Sequence, residues 1–436
     1  MVRQLYSGMA KPTRMFRKTA PKDAAKDVQS RETAAGQAVR IRVLPSIGDI
    51  TAAAWDACAG GAGANPFTRH AFLSALEVSK SATARTGWQP QHLVAETADG
   101  SLIGVVPCYL KSHSRGEYVF DRGWAEAYEH AGASYYPKLQ VSVPFTPATG
   151  SRLMVRPSAD VHTTQAVLAR GLVELAKLRG ASSAHITFMT ETEWRVLGAC
   201  DFLLRTDQQF HWENRGFATF DDFLAALSSR KRKTIRRERR EALADGIEVV
   251  WLTGADLNEA AWNAFFTFYM ETGSRKWGRP YLTREFFSLV GQAMAKETVL
   301  IMAKRAGRFI AGAINFIGDD TLFGRHWGAI EHHPFLHFEI CYYQAIEYAI
   351  DRGLARVEAG AQGEHKLARG YLPNTTYSAH YIADPSFRRA IDDYLKRERA
   401  FVDAAGKELR DASPFRKCPG GEVQAKQELA DEDAGF

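Results

Sequence analysis

The feature that most constrains this chain is a repeat. Two β-rich runs, HLVAE (92–96) and SLIGVVPCYLK (101–111), meet at TADG, where Asp99-Gly100 supplies the positive φ of a tight hairpin. VLIMAKR (299–305) and RFIAGAINFIG (308–318) meet in the same way around Ala306-Gly307, and TLFGRHWGAI (321–330) follows as a third strand. Setting Gly100 against Gly307 aligns SLIG with RFIA at an offset of 207 residues. The flanks agree. Helical periods precede each hairpin, at 49–59 and 68–79 in the first half and at 256–272 and 283–296 in the second. Each half then closes with a helix stopped by glycine and a further strand: 163–179, Gly180 and AHITFMT, then 335–352, Gly353 and ARVEAGA. This order predicts a mixed α+β fold built twice, and neither a Rossmann fold nor a TIM barrel.

Composition adds exclusions. The 436 residues are 45% hydrophobic, 11% aromatic and 24% charged, ordinary globular usage that rules out a collagenous, coiled-coil or wholly disordered chain. Five widely spaced cysteines with no CxxC pair exclude a disulfide framework and a thiolate zinc site. No apolar run is long enough to span a bilayer, and the N-terminus lacks the apolar centre of a secretory signal. The expected location is the cytoplasm. Charge is unevenly placed: residues 1–40 and the segment RKRKTIRRERRE (230–241) each carry +6, leaving −6 for the rest. Such confinement suits phosphate or an anionic membrane surface, at the inner face of the inner membrane, better than DNA.

The same order of elements resembles the GNAT superfamily of acyl-CoA N-acyltransferases, and two copies in tandem resemble the FemAB-like proteins. The residues carrying the match are RKRKTIRRERREALADGIEVV (230–250), a basic helix leading into a strand, and VEAGAQGEHKLARGYLP (357–373), where Lys366 shortly precedes Gly370. YYPKLQVSVPFTPATG (135–150), QFHWENRGF (209–217), GRHWG (324–328) and HFEICYYQAIEYAI (337–350) resemble a bacterial subgroup that includes ceramide synthases. The resemblance implies a basic disordered tail over 1–40, a non-catalytic GNAT-like unit over 41–205, a catalytic one over 206–395, and a C-terminal helix and polar tail over 396–436. One motif is missing. The Q/R-x-x-G-x-G/A loop that holds CoA pyrophosphate on a helix N-terminus has no counterpart, and EHHPFLHFE (331–339) stands in its place.

Acyl transfer to an amine requires loss of a proton from the ammonium and stabilisation of the developing oxyanion. Six of the thirteen histidines fall within residues 326–380, among Glu331, Glu339, Glu358 and Glu364. Glu364, His365 and Lys366 follow a strand, where functional loops occur, and give a base (Glu364 or His365) with an oxyanion or phosphate contact (Lys366). A solvated loop whose Lys and Glu pair is the plainer alternative. His337 and Glu339, two apart near a helix start, point to different faces and are further catalytic candidates. Strand alternation separates Arg325 and Trp327 from His326, one set facing the cleft. Arg325, Trp327, His211, Trp212, Arg369 and Tyr371 are the candidate substrate contacts, and Arg236, Arg237 and Arg240 the phosphate or membrane contacts. HHxxxH at 332–337 lacks the HExxH arrangement, so no metal is expected, and no GKS/T follows the glycines at 60–63.

The expected reaction moves a fatty acyl group from acyl-CoA, a co-substrate rather than a bound cofactor, to the amine of a long-chain lipid, a sphingoid base giving a (keto)ceramide. Two alternatives stand beside it: a Fem-type transferase using aminoacyl-tRNA on a peptidoglycan precursor, and a degenerate scaffold without activity.

Overall fold

Both hairpins form, and they share an irregularity. His92–Thr97 pairs with Leu102–Val106, and Thr298–Arg305 with Arg308–Ile317, around Gly100 and Gly307 at φ 84° and 75°. In the first hairpin the register slips so that Ile103 is the extra residue; in the second the extra residue is Ile310, 207 positions later. A bulge repeated at the repeat distance is a strong mark of duplication. The computed structural model describes residues 28–29, 39–61, 64–277, 280–360 and 363–416, so most of the expected basic tail and the last residues of the polar tail lie outside the described residues.

A second correspondence matters more for the site. Lys138–Val141 runs parallel to Ser183–Met189 through Leu139, Gln140 and Val141 opposite Ala184, His185 and Ile186. Thr321–Ala329 runs parallel to Arg356–Glu358 through Thr321, Leu322 and Phe323 opposite Arg356, Val357 and Glu358. Each pairing lasts three residues and then the strands part. The halves differ where Pro107, which has no N–H to give a ladder, splits the first meander. Leu102–Val106 stays in a five-stranded sheet, while Cys108–Lys111 joins an eleven-stranded one.

That large sheet joins the halves by exchanging their last strands. Leu203–Glu213, at the end of the first half, pairs with Arg356–Glu358 of the second. Leu372–Ile382, at the end of the second half, pairs with Ser183–Met189 of the first. The two exchanged strands lie antiparallel to each other from Leu203 opposite His380 to His211 opposite Leu372. A division at 205/206 therefore falls inside a strand. One core is shared as well: Phe67 meets Phe72, Phe316 and Phe323 edge to face, with centroids 5.1–5.2 Å apart. Each such contact adds roughly 0.5–1.5 kcal/mol beyond burial. Helix Glu259–Trp277 crosses the strand Thr321–Ala329 at Gly328, where a Cβ would come within 2.1 Å of the Phe268 carbonyl oxygen.

The exchanged seam contains a buried histidine pair. His185 and His380 face each other in register with Nδ1 atoms 2.8 Å apart, and His185 Nε2 meets Ser183 Oγ and Tyr135 Oη. At that distance one Nδ1 must be bare. Burial lowers the His185 pKa to about 3 and that of His380 further still. The unfolded chain binds protons on both below about pH 6.5 while the folded one does not, so their contribution to stability is complete above that pH and lost as pH falls toward 3. The melting temperature, followed by circular dichroism, is expected to decline from pH 7 to pH 5, and His380→Asn to flatten that decline.

Candidate active site

Strand alternation breaks at Arg325, and this break builds the site. Opposite the strand Arg308–Ile317, Ile314 faces His326 and Asn315 faces Gly324, leaving Arg325 as an unpaired bulge residue. A bulge re-aims side chains. Arg325, His326 and Trp327, expected on two faces, instead line one cavity of about 250 Å³ together with Tyr118, Tyr269, Tyr281 and His337. The Arg325 guanidinium donates to the Phe145 carbonyl and to the Tyr118 hydroxyl. Burial depresses His326 to about pKa 3, with the Arg325 charge adding to the effect, so its imidazole stays neutral. His337 packs edge-on against Trp327 at 5.3 Å and Tyr342 at 5.5 Å.

Two further spaces open from this cavity. Past Trp327, Thr272 and His337 lies a groove of about 600 Å³, largely apolar, walled by Ala329, Pro334, Phe335, Leu336 and Phe338. Past Pro280 and Tyr281 lies a chamber of about 610 Å³ whose walls include Lys80, Arg85, His113, Arg115 and Arg284 and no carboxylate. Arg284 pairs with Glu259, whereas Lys80, Arg85 and Arg115 make no ion pair among the described residues. Three of these cations come from the first half of the chain. They are separated in sequence and follow no motif, so only the fold assembles them.

The other sequence candidates lie elsewhere. Helix residues begin at Leu336, one past the expected start at 335, and a π-turn, Glu339–Tyr343, follows. Glu339 is fully buried on the side away from His337, where Arg239 and Gln344 donate to its carboxylate. It anchors the helix and does not reach the cavity. Trp212 and Tyr371 are likewise fully buried in the second-half core and line none of the described cavities. His211 is buried beside Asn374, with Nε2 3.9 Å from Glu358. Arg369 binds Glu238 and stacks on Phe338, behind the groove wall. Arg236, Arg237 and Arg240 are exposed on a helix distant in role from the cationic chamber.

Glu364 opens the turn Glu364–Arg369, and its side chain lies outside the described residues. His365 is exposed, with Nε2 2.9 Å from the Tyr342 hydroxyl. Lys366 is buried and donates to the Gly360 carbonyl at 2.8 Å, and burial lowers it to about pKa 8. It fixes the loop that leaves Glu358. Tyr269, which no motif in the sequence marks out, lies in the cavity wall. Its hydroxyl accepts the Tyr281 and Leu282 N–H groups at 3.0 Å, which leaves its proton as a donor.

The corresponding gap in the first half is filled. Ser142–Ala148 is buried where Val141 and Ile186 part. Arg152 donates to the carbonyls of Ala148, Gly150 and Thr187, and Glu193 accepts from Ser151, Arg152 and Leu153.

A FemAB-like family model, described by peptidoglycan biosynthesis and recognition, matches residues 46–417. The chain belongs to the FemAB-like family. Membership makes it a transferase enzyme, which sets aside the inactive scaffold. No curated protein matches the sequence. Among solved structures, FemX is similar at TM-score 0.50 and 13% identity, over 79% of this chain and 98% of its own. The L-PGS of Bacillus licheniformis reaches 0.45 at 9% identity over 77% and 98%, and a tandem GNAT protein from the clavulanic acid biosynthesis pathway 0.39 at 13% over 80% and 99%. The FemX likeness agrees with a tandem GNAT-like fold for this FemAB-like chain.

Glu358 ends the paired strand where the site opens. It is buried, accepts from the Thr149 N–H, and has an Oε2 with no partner; burial raises its pKa to about 7 despite Arg356, Arg325 and Arg152. The unfolded chain releases this proton near pH 4.5, so ionisation costs the folded state stability as pH rises from 4.5 through 7. Glu358→Gln is expected to stabilise the FemAB-like protein at pH 8 relative to pH 5, by a difference on the order of 3 kcal/mol, read by urea unfolding at both pH values.

Proposed function

We propose that this FemAB-like transferase is an N-acyltransferase that moves a fatty acyl group from acyl-CoA to the amine of a long-chain lipid, a sphingoid base being the best-fitting acceptor. The observation that carries the reading is the order of the three spaces. A cationic chamber suits the phosphates of CoA, an apolar groove suits a hydrocarbon chain, and the imidazoles of His326 and His337 lie where the two meet. The chamber also answers the missing pyrophosphate loop, because unpaired Lys80, Arg85 and Arg115 supply the positive charge.

In this reading the amine enters as an ammonium and His337 takes its proton. His326, with a pKa near 3, is too weak a base for that step and orients the amine as a hydrogen-bond acceptor. The amine nitrogen attacks the thioester carbonyl, and the Tyr269 hydroxyl and the Arg325 guanidinium face the charge on the carbonyl oxygen. The C–S bond then breaks and the second proton of the attacking nitrogen passes to the CoA thiolate, leaving an amide and the free thiol. His365, exposed and held by Tyr342, which packs on His337, returns the proton to water. Lys366 holds the loop at the strand opening.

A second reading has support of its own. The family description and the FemX fold fit transfer from aminoacyl-tRNA to a peptidoglycan precursor, whose phosphates suit the same chamber.

The test is free-thiol release from long-chain acyl-CoA by purified protein, with and without a sphingoid amine. Amine-dependent release is expected. His337→Ala is expected to lower kcat by roughly 10²–10⁴-fold with little change in donor KM. Arg85→Ala with Arg115→Ala is expected to raise donor KM with kcat nearly kept. Absence of release with every acyl-CoA, together with transfer from charged tRNA, would replace the first reading by the second.

A further inference from the structure

The helix Ser229–Ala242 sorts its charges by face. Inward, Ile235, Glu238 and Ala242 are buried. Glu238 accepts from Arg369 and from the Tyr343 hydroxyl, and Arg239 reaches Glu339 and Glu347. Glu238 and Arg239 are therefore both paired. Outward, Arg230, Lys233, Arg236, Arg237 and Arg240 are exposed, three and four residues apart along one face. Arg236 meets exposed Asp221, and Arg237 meets Glu241 at 3.7 Å. Arg230, Lys233 and Arg240 make no ion pair among the described residues.

This outward row burdens the helix. Like charges at these spacings repel, and Arg230 stands in the first turn, where the macrodipole disfavours cations. Folding does not use them, since the packing surface is complete without them. Within the row, Arg230, Lys233 and Arg240 meet no carboxylate among the described residues, and a polyanion lying along the helix supplies the opposite charge they lack. The inward face rests on the turn Leu336–Tyr343, and Leu336 and Phe338 of that turn also wall the apolar groove.

We infer that the outward face docks on the anionic headgroups of a phospholipid membrane. The shared turn then brings the apolar groove to the bilayer surface, where a long-chain amine is dissolved; this last consequence rests on the acyl-transfer reading. A bilayer is favoured over RNA because the neighbouring opening, though edged by Glu331, His332 and His333, is lined mainly by apolar side chains such as Phe335, Leu336 and Phe338, which match hydrocarbon. The Glu331 carboxylate there would also repel a phosphodiester chain. Each exposed cation near an anionic surface contributes about fivefold to partitioning, and the attraction is screened by salt.

The experiment is co-flotation of the full chain with phosphatidylcholine vesicles, with and without phosphatidylglycerol. Binding is expected only with phosphatidylglycerol and is expected to weaken as salt rises. The combined change Arg230→Glu, Lys233→Glu, Arg237→Glu and Arg240→Glu is expected to reduce partitioning by more than about a hundredfold while melting temperature and circular dichroism stay near those of the parent. The N-terminal basic residues are common to both chains, so the difference reports the helix. If the reversed chain does not fold, Arg230→Gln with Lys233→Gln still carries an expected loss of roughly tenfold or more. Equal binding to both vesicle types, unchanged binding by the variants, or binding to duplex RNA without binding to vesicles would overturn the inference. The readout involves no turnover, so a failure of thiol release would leave a positive vesicle result standing, and the reverse holds too.

Discussion

Everything in this molecule depends on the exchange of two strands. Leu203–Glu213 and Leu372–Ile382 each finish a half by pairing in the other's territory, and they pair with each other along almost their whole length. The backbone groups along Ser183–Met189 and Arg356–Glu358 have no other partners at those edges, so neither half satisfies its hydrogen bonds alone. The exchange also fixes where the two diverging strand pairs stand relative to one another. It sets the first-half loop 142–150 against the second-half opening, and that adjacency creates the site.

The duplicated halves have taken opposite courses from one geometry. Both contain a parallel pair that lasts three residues and then parts. In the first half a buried loop, clamped by Arg152 and Glu193, occupies the gap. In the second half the gap stays open, and the bulge at Arg325 turns three consecutive side chains into it. The filled half still takes part: Phe145 stacks on Tyr281 with ring centroids 4.7 Å apart, its carbonyl holds Arg325, and Lys80, Arg85 and Arg115 line the chamber. The first half thus supplies part of the walls of the spaces that open in the second.

The sequence shows clearly what local chemistry decides and little of what depends on distance. Hairpin turns at Gly100 and Gly307, the glycine-stopped helices and the repeat itself follow from short-range rules, and the fold confirms them. The histidine crowding directs attention to the second half, and His337 and Arg325 line the cavity there. The errors have physical causes. Period-2 alternation separated His326 from Arg325 and Trp327, whereas all three line one cavity, because a one-residue bulge is invisible in a run of β-formers. Glu339 looked chemical because a carboxylate near a helix start is exposed in the ordinary case; here a partner 100 residues earlier, Arg239, buries and neutralises it. Trp212 and Tyr371 carry polar atoms yet pack as core. The chamber cations are spread from Lys80 to Arg284 and acquire meaning only once the halves are joined.

The loop shared between the filled gap and the open site has an evolutionary consequence. Its residues answer to two masters: their packing closes one half, and their outer face shapes the chemistry of the other. Substitutions in that loop therefore change the packing of the first half and the walls of the second-half spaces together. A chimaera assembled from the halves of two relatives would inherit a mismatched wall unless residues 142–152 travelled with the second half.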